Sequence, residues 1–142
     1  MQALAVILFA VLGAHSAGAQ ASTASPVQVA TFEQGVGVVL RVRPTVIDAR
    51  RNIRPGSISG LDYWGVDRWL SWRTKRAYAT AIYGWNTPDG RNVRSFRSRL
   101  ILDRVKNCGP HRIYTRITGR FLGSRPPGMP TVLRYRTYKV RC

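Results

Sequence analysis

The feature that most constrains this chain is the stretch 99–122, RLILDRVKNCGPHRIYTRITGRFL, where two strand-length runs meet at Asn-Cys-Gly-Pro. Residues 112–122 alternate over eleven positions. Ile113, Thr115, Ile117, Gly119 and Phe121 fall on one side, and Arg112, Tyr114, Arg116, Thr118, Arg120 and Leu122 on the other. Successive strand side chains point to opposite faces, so this is the pattern of a half-buried antiparallel strand. The run before the turn, 95–106, holds Leu100, Ile101 and Leu102 contiguously, which predicts burial on both faces or a bulge.

The rest of the chain follows the same rule. Residues 27–43 are rich in valine and glycine and read as two short strands broken near Gln34-Gly35, the second ended by Pro44. A further short strand is expected at 45–48, then a basic, turn-rich connection at 50–56. The tryptophans Trp64, Trp69, Trp72 and Trp85 all lie within 57–85. Trp69 and Trp72 are three apart, a spacing that allows one helical turn at 66–72. Residues 77–85 alternate, with Ala77, Ala79, Ala81, Tyr83 and Trp85 on one face; small alanines there predict close packing against another layer. Asn86-Thr87-Pro88-Asp89-Gly90 is a strong turn signal. GSRPPGMP at 123–130 suits neither strand nor helix, and 131–142 reads as a final strand.

About seven strands with regular turn signals predict an all-β fold: a single antiparallel β-sandwich or barrel ending in a three-stranded meander. The two cysteines, Cys108 and Cys142, form an even pair, which in an oxidising compartment reads as one disulfide stapling the meander. Pairing between chains through the terminal Cys142 is the alternative.

The compartment is indicated by the N-terminus. ALAVILFAVLGA at 3–14 matches a signal-peptide core and is shorter than the ~20 residues of a membrane helix. Ala-x-Ala sites follow, so cleavage is expected after Ala19 or Ala21. The expected organisation is a signal peptide at 1–21, a disordered leader at 22–26 and one β domain at 27–142. An uncleaved anchor or a buried first helix is the alternative, since no Lys or Arg precedes the apolar run. Export implies a secreted, extracellular or cell-envelope protein with no integral membrane segment after cleavage, expected to be a monomer.

The formal net charge is +17, from 23 basic and 6 acidic residues. From Gly90 onward there are 14 bases and one acid, Asp103, hence 14 − 1 = +13. Such a field favours polyanions, whether an anionic polymer of the cell envelope or nucleic acid. Genomic codon bias explains the choice of arginine over lysine but not the excess of bases over acids.

Catalytic constellations are thin. His111 is the one histidine left after cleavage, and no G-x-S-x-G motif accompanies it. A Glu33–His111 pair flanked by arginines would suit a small secreted hydrolase such as a nuclease; an ordinary turn histidine is the plainer reading. No metal set, phosphate loop or cofactor site is expected. Binding is better supported: Arg112, Tyr114, Arg116 and Arg120 share one strand face, and Arg134, Arg136 and Tyr138 share another. On neighbouring strands these would make a basic sheet with interleaved tyrosines able to hold a polyanion. The alternative is a solvated outer face whose arginine stems cover apolar surface. A secreted inhibitor or effector docking on a protein partner is a third reading. The tryptophans either pack the core or form a sugar-stacking platform.

The order Ile58-x-x-Leu61, Trp64, Trp72, Ala79-x-Ala81, Asn86, then Arg99-Leu100, Cys108-Gly109 and Arg112-x-Tyr114-Thr115-Arg116 resembles small secreted β-rich proteins of high-GC Gram-positive bacteria that have no known activity. The resemblance implies export and a β fold, and it transfers no activity and no catalytic residue. Those proteins carry an extra cysteine pair before the hairpin, where this chain has Asn86 to Gly90 instead.

Overall fold

The computed structural model describes residues 24–33, 35–48, 63–86 and 93–142. The expected signal peptide at 1–21, the expected basic connection at 50–56 and the expected turn residues 87–90 lie outside the described residues. Eight strands are described: β1 (Gln28–Glu33), β2 (Gly37–Arg41), β3 (Val46–Asp48), β4 (Tyr63–Trp72), β5 (Ala77–Asn86), β6 (Val93–Cys108), β7 (His111–Phe121) and β8 (Val132–Arg136). There is no helix among the described residues, and so none long and apolar enough to cross a membrane. The all-β expectation holds. Of its two architectures the fold takes the barrel side, as one mixed sheet curled into a half-barrel.

The strand order is β2-β1-β7-β6-β5-β4-β3, with β8 also paired to β7. The meander is present, since β7 pairs antiparallel with both β6 and β8. The one departure from antiparallel pairing is β1, which runs parallel to the start of β7 at Gln28↔Ile113 and Val29↔Tyr114. β1 and β8 thus share one edge of β7, β1 at its beginning and β8 along the remainder.

Aromatic side chains of β4 and alanines of β5 explain the curl. Trp69 lies opposite Ala79, and Trp72 opposite Ala77. The alanines leave room for indoles that reach across the half-barrel instead of filling the neighbouring strand. Trp72 meets Tyr114 of β7 edge-on at 5.3 Å, and Trp64 lies over Gly119 of β7. Neither contact joins neighbours in the sheet, because β6 and β5 lie between β7 and β4. The indole N–H groups close the remaining gap: Trp72 Nε1 donates to Val27 O (2.7 Å) and Trp69 Nε1 to Pro44 O (3.1 Å). All four tryptophans therefore pack in or against the core, and the sugar-stacking platform is corrected.

Two bulges explain why 66–72 is strand and not a helical turn. The β4–β5 register slips between Val66 and Arg68 and again between Trp69 and Ser71. Each slip inserts one residue and reverses the inside–outside parity. Trp64, Val66, Trp69 and Trp72 consequently all address the core from an extended strand, and the three-residue spacing imitates a helix.

The disulfide joins Cys108 at the end of β6 to Cys142, with Cα atoms 4.7 Å apart. The final strand is shorter than expected: β8 stops at Arg136. Thr137 continues its line with two bonds to β7, N to Thr115 O (3.0 Å) and Oγ1 to Tyr114 O (3.1 Å). The bridge and the absence of a membrane-spanning helix among the described residues are compatible with an extracellular protein.

Candidate functional site

Beyond Leu102, β6 outruns its partner β5, which begins at Ala77. From there to Cys108 it is paired only with β7, so the edge of β6 that β5 covers elsewhere is left open, while β7 behind it still pairs with β1. Just at this point both strands change face. Leu102 and Ile117 are opposite one another and both in the core, and so are Val105 and Tyr114, three residues farther along each strand. An odd step between two inward pairs requires a kink. Arg104 supplies it at φ 54°, a left-handed conformation that costs a non-glycine residue about 1–3 kcal/mol. Thr115 Oγ1 braces it by donating to Arg104 O at 2.6 Å.

The kink overturns one expected binding residue. Tyr114, assigned by alternation to the basic face, is fully buried (0 % exposed). Its hydroxyl donates to Arg73 O, and desolvation raises its pKa above the ordinary tyrosine value. It cannot stack on a ligand. Tyr138 also leaves the face, its ring lying 6.3 Å from Phe32. The arginines behave differently: Arg120, Arg134 and Arg136 are exposed, while Arg112 and Arg116 are half-buried.

Two recesses flank the kink. The first, of about 990 Å3, lies between the β4–β5 turn and the free end of β6. It is lined by Arg73, Lys75, Arg76, Arg104, Arg112 and Arg116, with Asp103 the only acid among the described residues that line it. The second, of about 290 Å3, lies toward β8 and is lined by Arg104, Lys106, Arg116, Arg134 and Arg136. Arg104 and Arg116 belong to both. The first recess is pre-formed, because β7 grips the β4–β5 turn: Arg112 Nη2 donates to Thr74 O (3.3 Å) and the Tyr114 hydroxyl to Arg73 O.

Arg73, Lys75, Arg76, Arg104 and Lys106 were not among the residues expected at a site. The first three belong to Arg-Thr-Lys-Arg, a cationic run of four between two strand-like segments, and that run was the available signal. Arg104 had none, since alternation cannot reveal a kink.

Electrostatics at the kink are set by Asp103, which is 6 % exposed. It accepts a bidentate pair from Arg116, Nε to Oδ1 and Nη2 to Oδ2, both at 2.6 Å. That bond holds its carboxyl below the usual carboxylate range; burial opposes the shift, and the fields of Arg116, Arg76 and Arg104 reinforce it. Because the folded value is depressed, ionised Asp103 stabilises the fold above its unfolded value near about 3.9, and the contribution is lost as pH falls through the lower folded value. Asp103→Asn is expected to lower stability at neutral pH by about 1–3 kcal/mol and to flatten the acid limb below about pH 4. Urea midpoints measured from neutral to acid pH check this; parallel profiles for the two proteins would refute it. Glu33 is lowered in the same direction by its bond from exposed Arg41 and remains in the variant as background.

Along the outer face, like charges sit directly across from one another. Arg99 is opposite Arg120, and Arg116 opposite Arg136. Such pairs oppose sheet formation, and Asp103 offsets only the second.

The Glu33–His111 couple, the alternative reading of the sequence, is not assembled. β1 runs parallel to β7 from Gln28↔Ile113, so Glu33 lies seven strand positions from His111, roughly 20 Å. Glu33 is held by Arg41 at 2.7 Å, and His111 is an exposed residue beside the two-residue Gly109-Pro110 loop, lining neither recess. Among the described residues no group of three or more His, Cys, Asp and Glu could hold a metal. No family model, curated protein or solved structure matches the chain.

Proposed function

We propose that this chain is a secreted, non-catalytic β domain that binds an anionic polymer of the cell envelope or extracellular space. The carrying observation is the concentration of nine cationic side chains against one buried acid in two adjoining recesses. The like-charged cross-strand pairs beside them cost folding energy that an anion bound over them would recover. A strained Arg104 shared by both recesses fits the same reading, since strain collects at functional positions. The signal-like apolar segment at the N-terminus and the disulfide support a setting among extracellular polyanions.

The domain is expected to stay on an immobilised polyanion and to release steeply with salt. With five to nine contacts engaged, affinity falls by about 10²–10⁴-fold between about 50 and 200 mM salt. Replacing both Arg134 and Arg136 by Gln should shallow that dependence. Arg94→Gln removes an exposed charge far along β6 that lines neither recess, and should move the elution position less than either single substitution at Arg134 or Arg136. Elution at low salt, or equal effects of all these changes, would sink the reading.

A further inference from the structure

We propose that the ligand is a linear phosphate polymer, contacted through its phosphate oxygens alone and lying across both recesses over the ridge made by Arg104 and Arg116. This rests on the polyanion reading above and narrows it to one chemistry.

Three observations carry it. First, aromatic rings are few at the recesses. Tyr114 is fully buried, the tryptophans pack in or against the core, and Tyr135 packs on Trp64 at 5.5 Å. Among the described residues Tyr78, half-buried, is the one aromatic lining the first recess, and Tyr135 the one lining the second. Proteins that hold single-stranded nucleic acid use stacking platforms for successive bases, and the two recesses offer no such row. Second, the cations are mostly guanidiniums, whose planar fork matches phosphate oxygens in pairs. Asp103 engages Nε and Nη2 of Arg116, leaving Nη1 for a ligand. Third, the recesses share their ridge residues, so one chain can occupy both without crossing an anionic surface. From Arg76, at the start of β5, to Arg136 on β8 the path crosses three strand spacings, about 15 Å. A short oligophosphate reaches one recess, and a long chain reaches both.

The test is competition on the intact domain, with labelled single-stranded DNA as tracer. Long-chain inorganic polyphosphate should displace the DNA fully, and triphosphate at equal total phosphate should be weaker by about tenfold or more, because it forgoes the second recess. Arg76→Gln and Arg134→Gln, one for each recess, should each shallow the salt dependence of polyphosphate binding by about 0.7 in log–log slope. Arg104→Gly should do the same while keeping the fold, since glycine accepts the φ of 54°; its unfolding midpoint separates lost binding from lost structure. Tyr78→Ala should leave polyphosphate and DNA binding equal to wild type. DNA that polyphosphate fails to displace, DNA binding lost in Tyr78→Ala, or heparin outcompeting polyphosphate at equal charge would overturn the phosphate assignment and leave polyanion binding standing. Retention of none of the three polymers would overturn the polyanion reading itself.

Discussion

Trp64→Ala is expected to lower the free energy of unfolding by about 3–5 kcal/mol, the range for removing a large aromatic from a packed interior. Trp64 is fully buried and lies against Tyr83 at 5.3 Å and Tyr135 at 5.5 Å. It also rests on Gly119 of β7, where a Cβ would stand 2.5 Å from its Cζ2. That contact is what brings β4 over β7 and curls the sheet. Gly119→Ala alone should therefore cost about 1–3 kcal/mol by overpacking. In the Trp64→Ala background the same substitution meets an open cavity and should cost little, so the two changes are not additive. Urea unfolding of the four proteins in the cycle gives the coupling energy. Additivity within about 0.5 kcal/mol would mean that the two residues do not touch.

This core was partly legible before the structure, and its limits are physical. The alternation at 77–85 identified the alanine face as buried, and the alternation at 117–121 identified the inward Ile117, Gly119 and Phe121. Both succeed because period-two reasoning holds wherever the register is unbroken. It fails where a residue is inserted or a strand turns over. The slips in β4 made a strand look like a helical turn, and the kink at Arg104 sent Tyr114 inward while its neighbours in the pattern stayed out. The disulfide was readable because two cysteines in a chain expected to be exported leave few choices. The recesses were not readable as sites, since they depend on β6 outlasting β5 by several residues. That mismatch is set by the position of the β4–β5 turn. Charge counts placed the positive field from Gly90 onward, yet Arg73, Lys75 and Arg76 enter it from the segment before that through the β4–β5 turn.

Replacing both cysteines by serine should cost about 3–4 kcal/mol, the chain-entropy value for a loop spanning the 34 positions from Cys108 to Cys142. In a domain of this size that lowers the melting temperature by about 10–20 °C. The double variant is the right test, because a single change leaves a free thiol to pair between chains. The bridge encloses β7 and β8, and it secures a tail that makes no strand pairing after Arg136. Inside that loop the tail is tied by the two bonds of Thr137 to β7; Cys142, five residues on, relies on the bridge. The recesses do not rely on it in the same way. Their walls are held by the β6–β7 ladder on either side of the kink, by the Asp103–Arg116 pair and by the grip of Arg112 and Tyr114 on the β4–β5 turn. At a temperature where the serine variant is folded, its polyanion affinity should therefore stay close to wild type although its stability has fallen. Loss of binding in step with stability would show that the tail, with Lys139 and Arg141, takes part in the site. Retained binding would assign the bridge to holding the domain together, and the kink and its neighbouring turn to holding the ligand.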